Sequence, residues 1–423
     1  MESYAQVLNF AIPFFVVLIT IEWIAGYYKG ITTNRSLDTI SSLSSGLTNT
    51  TKDVLGLSVV IISYNWMVEY LAIYQIESKL WMYVVAFIGL DFAGYWSHRW
   101  SHEINVFWNR HIIHHSSEEF NLACALRQSI SNIFAIFTFL FIPMALVGVP
   151  TEVIGIVAPL HLFAQFWYHT RLIDRMGILE YIIVTPSHHR VHHSINPEYL
   201  DKNYSQVFIV WDKLFGTFQE EMKDVPPVYG VKRAVSTWNP ILINFQHFWL
   251  LVKDAWRTQS WWDKIRVWFM PTGWRPKDVM NAFPVDSIED VYEQKKYDTH
   301  LSNPIKTWSW AQLVIHVVLM LYLFNNIAEV TLPGMLLYGL FLFISIFAYT
   351  TLMDGSKYAV ITELIKVLCG FSLLYWQGGW YGIDNVVSYG SILVATYLTL
   401  SMLMAIYFEI KELKPLRIKG VLR

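Results

Sequence analysis

The sequence predicts an all-α fold, a polytopic integral membrane helical bundle, and three observations predict it. Of 423 residues, 54% are hydrophobic and only 15% are charged, against about 25% charge in a soluble domain. Nine apolar stretches approach the ~20 residues that a helix needs to cross a bilayer. Eleven of the fourteen histidines fall between His98 and His193, in spaced clusters at the ends of those stretches. The net charge of −2 gives nucleic acid no handle, so no nucleic-acid partner is expected. Nineteen Trp and 24 Tyr suit membrane interfaces and apolar clefts. Cys124 and Cys369 form no metal or disulfide pattern and read as small apolar residues.

The candidate spans are residues 4–28, 54–74, 80–96, 130–148, 153–168, 308–324, 332–349, 358–375 and 388–408. No basic segment precedes the first, so it reads as a retained span rather than a cleaved signal. The third and fifth are short, which leaves re-entrant or interfacial packing open. Residues 32–53 are polar and rich in Ser and Thr, and read as an amphipathic lead-in to the second span. Residues 171–306 carry Pro226-Pro227, many charges and several Trp, and read as a folded cap on the membrane surface. The chain thus divides into N-terminal spans and lead-in (1–79), a histidine-rich core (80–220), a cap segment (221–307), and C-terminal spans with a basic tail (308–423).

If the spans alternate, one face holds 29–53, 98–129, 169–306, 353–357 and the tail. The other holds 1–3, 75–79, 149–152, 325–331 and 376–387, with Lys79 as its only basic residue. Lys and Arg mark the cytoplasmic side. The same alternation puts every dense histidine cluster on that basic face, so the bundle should carry a cytosolic histidine-rich cap, able to hold two metals.

The spacings explain the metal. His98 and His102 are four apart and stack on one helix face. His111, His114 and His115 repeat that spacing with a third donor, and His189, His192 and His193 form a second copy. His169 shares a face with Gln165 and reads as a further ligand. Neutral imidazole suits iron, copper or zinc far better than magnesium or calcium, and one ion takes about three or four such ligands, so the set implies two ions. Any one histidine alone reads more simply as a polar surface group; the constellation does not. His161 reads as a residue supporting the ligands or as a core residue, and His188 as pointing away from the triplet. His247, His300 and His316 lack partners and read as structural. Asp91, Glu103, Glu118, Glu119 and Asp201 are candidate carboxylates for orienting imidazoles. Trp96, Trp100, Phe107, Trp108, Phe166, Trp167 and Tyr168 could line a tunnel for a lipid chain, or form ordinary membrane packing.

Residues 91–220 also resemble a known family. The matching runs are His98-Arg-x2-His102-Glu103-x-Asn105, His111-x2-His114-His115-Ser-Ser-Glu118, and Arg127-Gln-Ser129. They continue through Gln165-Phe-Trp-x-His169-Thr, Thr185-Pro-Ser-His188-His189-Arg-Val-His192-His193, Asp201-Lys-Asn-Tyr and Trp211-Asp-Lys-x-Phe-Gly-Thr-Phe218. They resemble the fatty acid hydroxylase superfamily, the membrane di-iron histidine-box enzymes that include sterol desaturases. Glu103 after the second histidine, and the Ser-Ser-Glu and Arg-Gln-Ser runs, resemble the tetrahydrobiopterin-dependent, ether-lipid-cleaving branch.

The resemblance implies two iron ions held by His98, His102, His111, His114, His115, His189, His192 and His193, with His169 as a ninth ligand. It implies O2 as co-substrate, tetrahydrobiopterin or another reductant as electron donor, and a lipid substrate drawn from the bilayer. It assigns Glu103 to the pterin. The expected reaction is hydroxylation of the carbon next to the ether oxygen of an alkylglycerol. An O2-dependent hydroxylase or desaturase of a sterol, fatty acyl chain or carotenoid is the alternative. A zinc-dependent membrane hydrolase would need a carboxylate ligand or an HExxH helix, which is absent. A metal transporter would spread ionisable groups along several spans, whereas these histidines crowd one end.

Overall fold

The computed structural model describes residues 2–74 and 79–422. Met1 and residues 75–78, expected on the face opposite the histidines, lie outside them. Among the described residues there are helices and four isolated β-bridges, and no strand. The helices that position the site are α1 (Glu2–Tyr28), α2 (Ser36–Val54), α3 (Leu80–Glu103), α4 (Ile112–His115), α5 (Thr151–Phe163), α6 (Pro186–His192) and α7 (Pro240–Arg257). The C-terminal bundle is α8 (Asn303–Asn325), α9 (Leu332–Met353), α10 (Ala359–Gln377) and α11 (Gly390–Phe408). Among the described residues six helices are long and apolar enough to cross a membrane: Gln6–Tyr28, Leu80–Glu103, Asn303–Asn325, Leu332–Met353, Ala359–Gln377 and Gly390–Ile418. The chain is an integral membrane protein.

Three of the nine expected spans are therefore not full helices. Residues 55–63 are irregular and lead into a short helix, Tyr64–Leu71, started by the Ser63 hydroxyl accepting from Trp66 N–H at 3.2 Å. Residues 136–147 are a 3₁₀ turn followed by Ile142–Val147. That helix stops at Gly148, whose φ of 82° and close approach to the Tyr74 carbonyl exclude a side chain. The two broken segments pair with each other. Val59 N–H donates to Ile133 O (2.7 Å), Ala135 N–H to Val59 O (3.0 Å), and Ile73 N–H to Leu146 O (2.9 Å). Non-helical backbone is tolerated at membrane depth only when its polar groups are met this way. The expected third span is not short; it runs on to Glu103 as α3, because residues 97–103 continue the helix past the apolar run. The fifth is short as expected, at Thr151–Phe163.

The largest correction concerns residues 32–53. They form α2, but it is no surface lead-in: most of its side chains are buried between the histidine core and the C-terminal bundle. Its Ser and Thr face both ways. Toward the core, the buried Arg127 guanidinium donates to Ser42 Oγ (2.8 Å), Asp38 Oδ2 (2.9 Å) and Ser116 Oγ (2.8 Å). Toward the bundle, Ser44 Oγ meets the Tyr349 hydroxyl at 2.6 Å. The polarity that suggested exposure serves instead to satisfy buried partners.

The C-terminal helices pack in chain order, α8 on α9 on α10 on α11, around Met320, Phe324, Tyr338, Phe341, Trp380 and Leu398. Helix α1 is mostly unburied along its length, as a lipid-facing helix should be. Glu22 pins it to the core, accepting from Thr170 Oγ1 (2.6 Å) and Leu122 N–H (2.8 Å).

Removing one partner of a buried ion pair leaves the other uncompensated, at about 3–5 kcal/mol. Arg127→Ala should therefore lower the thermal unfolding midpoint of the purified protein sharply. An unchanged midpoint would show that the link between α2 and the core carries no stability.

Candidate metal centre

Four short pieces of chain deliver the imidazoles. His98 and His102 stand on the last turns of α3, which ends as Ile104 turns extended. Asn105, fully buried, holds the turn by donating to Val267 O and Trp274 O, both at 2.9 Å. His111 precedes α4, and His114 and His115 end it. His169 follows the turn after α5. Helix α6 begins with Pro186 behind Thr185, which accepts from the His188 backbone while His188 Nδ1 accepts from Thr185 N–H at 3.4 Å. His188 thus caps a helix, which turns His189, His192 and His193 inward.

The structure gathers all nine predicted imidazoles into two neighbouring groups. His98, His102, His111, His115 and His192 form one; His114, His169, His189 and His193 form the other. Within each, the candidate ligand atoms all lie within 4.8 Å of one another. The groups adjoin where the His115 and His193 rings stack at 4.3 Å.

Backbone carbonyls orient the rings. Nδ1–H of His98 donates to Tyr204 O (2.6 Å), of His114 to Arg127 O (3.1 Å), of His169 to Gln165 O (3.0 Å) and of His192 to Lys202 O (3.0 Å). Each bond leaves Nε2 with a bare lone pair aimed inward. Those nitrogens crowd: His98 and His111 Nε2 are 2.8 Å apart, and His169 and His189 Nε2 2.9 Å. His102, His115 and His192 Nε2 and His189 Nδ1 are buried with no partner. Burial, reinforced by the neighbouring imidazoles, holds His111, His115, His169, His189, His192 and His193 well below the usual histidine value. Burial lowers His114 to about 4. Neutral rings with converging lone pairs are what a cation needs, and the all-nitrogen set fits iron, copper or zinc.

The carboxylates are arranged differently from the sequence reading. Asp91 touches none of the nine imidazoles. It accepts from Val207 N–H, Phe208 N–H and Trp211 Nε1–H, and pairs with His161 Nε2 at 2.8 Å. His161 in turn meets Gln165, whose carbonyl takes His169, so this chain steadies His169 from behind. Glu118 and Glu119 lie away from the imidazoles: Glu118 binds Tyr297 N–H and Gln294, and Glu119 binds Lys296 at 2.6 Å. Asp201 stands 3.8 Å from His102 Nδ1 at the rim. Glu103 lies outside both groups, 39% exposed and accepting from Arg99 Nε–H at 2.9 Å. His247 binds Asn105 O, and His300 is exposed beside Asp298.

Of the aromatic residues proposed for a tunnel, Trp108 and Tyr168 reach the imidazoles, with ring centroids 5.0 Å from His102 and 4.3 Å from His189. Trp96 and Trp100 pack on Phe215 and Phe139, and Phe166 on Phe15. Two residues went unassigned in the sequence. Tyr204 is fully buried 5.2 Å from the His102 ring, its hydroxyl unpartnered. Asp212 accepts from Tyr204 and Ser205 N–H (both 2.8 Å) and Thr217 Oγ1 (2.6 Å). It shapes the loop whose carbonyls hold His98 and His192. Both lie in the motif runs quoted above, yet no spacing rule gives either a role.

His192 and His114 sit in different groups. Alanine at either should remove metal from its own group and spare the other, read as metal per chain in the purified protein. Full metal content in both variants would refute the grouping.

The fatty acid hydroxylase family profile matches residues 83–217, a segment containing all nine imidazoles. Alkylglycerol monooxygenase of Homo sapiens is 32% identical over 380 residues, 89% of this chain and 84% of that protein. Alkylglycerol monooxygenase of Danio rerio is 33% identical, covering 77% and 72%. The ornithine lipid hydroxylase of Rhizobium tropici is 29% identical over 154 residues, 36% of this chain and 46% of that one. No solved structure matches the chain. A buried imidazole centre in a membrane protein and relatives of this kind make the protein a metal-dependent lipid monooxygenase, and the chain belongs to the fatty acid hydroxylase family, in the group of the alkylglycerol monooxygenases.

Proposed function

We propose that this enzyme cleaves alkylglycerols, using two irons, O2 and tetrahydrobiopterin or another reductant. The observation that carries the reading is the pair of imidazole groups, nine ring nitrogens without a carboxylate among them, within a chain related along most of its length to alkylglycerol monooxygenases. His98, His102, His111, His115 and His192 are the proposed ligands of one iron, and His114, His169, His189 and His193 of the other. When bound, such a pair supplies reductive activation of O2. Hydroxylation of the carbon next to the ether oxygen gives a hemiacetal, which breaks into a fatty aldehyde and glycerol.

The chain's own share is positioning and dryness. Phe120, fully buried, packs 5.3 Å from the His193 ring and 5.8 Å from His169, and Tyr168 covers His189. These rings keep water from the reacting carbon. The unpartnered Tyr204 hydroxyl, on a ring 5.2 Å from that of His102, is suited to holding a substrate oxygen. Glu103 is the proposed pterin contact: half-buried at the rim and fixed by Arg99, it can accept from a pterin N–H. The lysines and arginines flanking the spans favour a cytoplasmic site, in the inner membrane of a bacterium or the endoplasmic reticulum of a eukaryote.

A second reading, hydroxylation of another lipid without ether cleavage, draws on the likeness to ornithine lipid hydroxylase. Aldehyde release from a 1-O-alkylglycerol by iron-loaded protein, with O2 and with or without tetrahydrobiopterin, separates the two. Pterin-dependent release is expected; none from a protein verified to hold two irons would move the assignment to another lipid or reductant. Glu103→Gln should raise the pterin concentration needed for half-maximal rate and leave iron content intact. Loss of iron instead would make Glu103 part of the metal site.

A further inference from the structure

We propose that the C-terminal bundle contains a second polar site, inside the bilayer and separate from the metal centre, that binds a hydroxyl group. Three helices build it. Gln312 and His316 lie four apart on α8, Glu363 and Lys366 three apart on α10, and Tyr397 comes from α11. Gln312, His316, Glu363 and Lys366 are all at most 2% exposed. All five residues stand within helices long and apolar enough to span the membrane.

Most of this cluster is internally matched. Lys366 Nζ lies 2.5 Å from Glu363 Oε1. It also donates to the Tyr397 hydroxyl (3.2 Å) and toward Gln312 Oε1 (3.4 Å), and the Tyr397 hydroxyl donates to Gln312 Oε1. Glu363 Oε1 has only its ion pair with Lys366, and three atoms have nothing: Gln312 Nε2 and both ring nitrogens of His316 are buried with no partner. The Tyr349 ring, 6.4 Å away, offers His316 only its face or edge, because its hydroxyl is taken by Ser44.

Unmade hydrogen bonds are costly in hydrocarbon, where no bulk water can substitute. Ionisable groups at such depth mark function more often than packing. The leftover set specifies its occupant. The amide and one imidazole N–H are donors, and the other imidazole nitrogen is an acceptor. Lys366 disfavours a cation and Glu363 an anion. A neutral group that both accepts and donates fits, and a hydroxyl is the smallest, either of water or of the alcohol head of a neutral lipid. All five residues lie outside the segment that matches the family profile, so the site belongs to the spans that distinguish this chain from a bare histidine-box core.

The test uses the full-length protein in detergent micelles washed free of neutral lipid. X-ray irradiation turns bound water into hydroxyl radicals in place, and mass spectrometry locates the oxidised side chains. The internal control is Tyr338, equally buried in the same bundle, with its hydroxyl already bonded to Leu319 O (2.9 Å) and Trp380 Nε1 (2.8 Å). His316 should oxidise several-fold faster than Tyr338; equal, negligible rates would mean a dry cluster and overturn the proposal. Added 1-O-alkylglycerol that protects His316 assigns the hydroxyl to lipid, and an unchanged rate assigns it to water; either upholds the site. His316→Leu supplies a second readout. Losing a satisfied imidazole should lower the unfolding midpoint, whereas a rise would show that unpartnered nitrogens had been removed.

Discussion

The rest of the structure depends on forcing nine neutral imidazoles into two adjoining buried groups. Ring nitrogens 2.8 to 3.3 Å apart repel unless a proton or a cation lies between them, and the protein must hold the rings in place. That demand explains the carbonyl acceptors at Tyr204, Lys202, Arg127 and Gln165, each taking one ring's N–H. It also explains the residues behind those carbonyls. Asp212 shapes the Lys202–Tyr204 loop, Arg127 is tied to α2, and Asp91 with His161 steadies the turn at Gln165.

The buried carboxylates thus act one step removed from the converging imidazole nitrogens. A carboxylate ligand would add charge compensation to each ion; here the first contacts are neutral and the anions stand behind them. An ion held there would keep more of its charge than one with a carboxylate ligand. Glu103 and Asp201 stand at the rim: Glu103 accepts from Arg99, and Asp201 lies 3.8 Å from His102 Nδ1.

Helix α2 joins the two halves of the molecule. A helix of mostly polar residues cannot be stable in hydrocarbon by itself, yet between two protein surfaces each hydroxyl finds an acceptor. Asp38 and Ser42 meet Arg127 on the core side, and Ser44 meets Tyr349 on the bundle side. The C-terminal spans are therefore packed against the catalytic core, not merely tethered to it.

Composition, apolar stretch length and histidine spacing by themselves determined a polytopic helical membrane protein and which imidazoles share a helix face; the family entered through the resemblance of residues 91–220. Those properties follow from local rules: a bilayer has a fixed thickness, and residues four apart share a helix face. Tertiary structure alone decided how nine rings divide five and four, because that depends on where α3, α4, α6 and the turn at His169 converge. It decided that residues 54–74 and 130–148 satisfy each other's backbone rather than forming two full helices. It decided that α2 is buried, since polarity reports a need for partners and not whether water or protein supplies them. Tyr204, Asp212 and the Gln312–His316 cluster were illegible for the same reason: each has its role through residues far away in the chain.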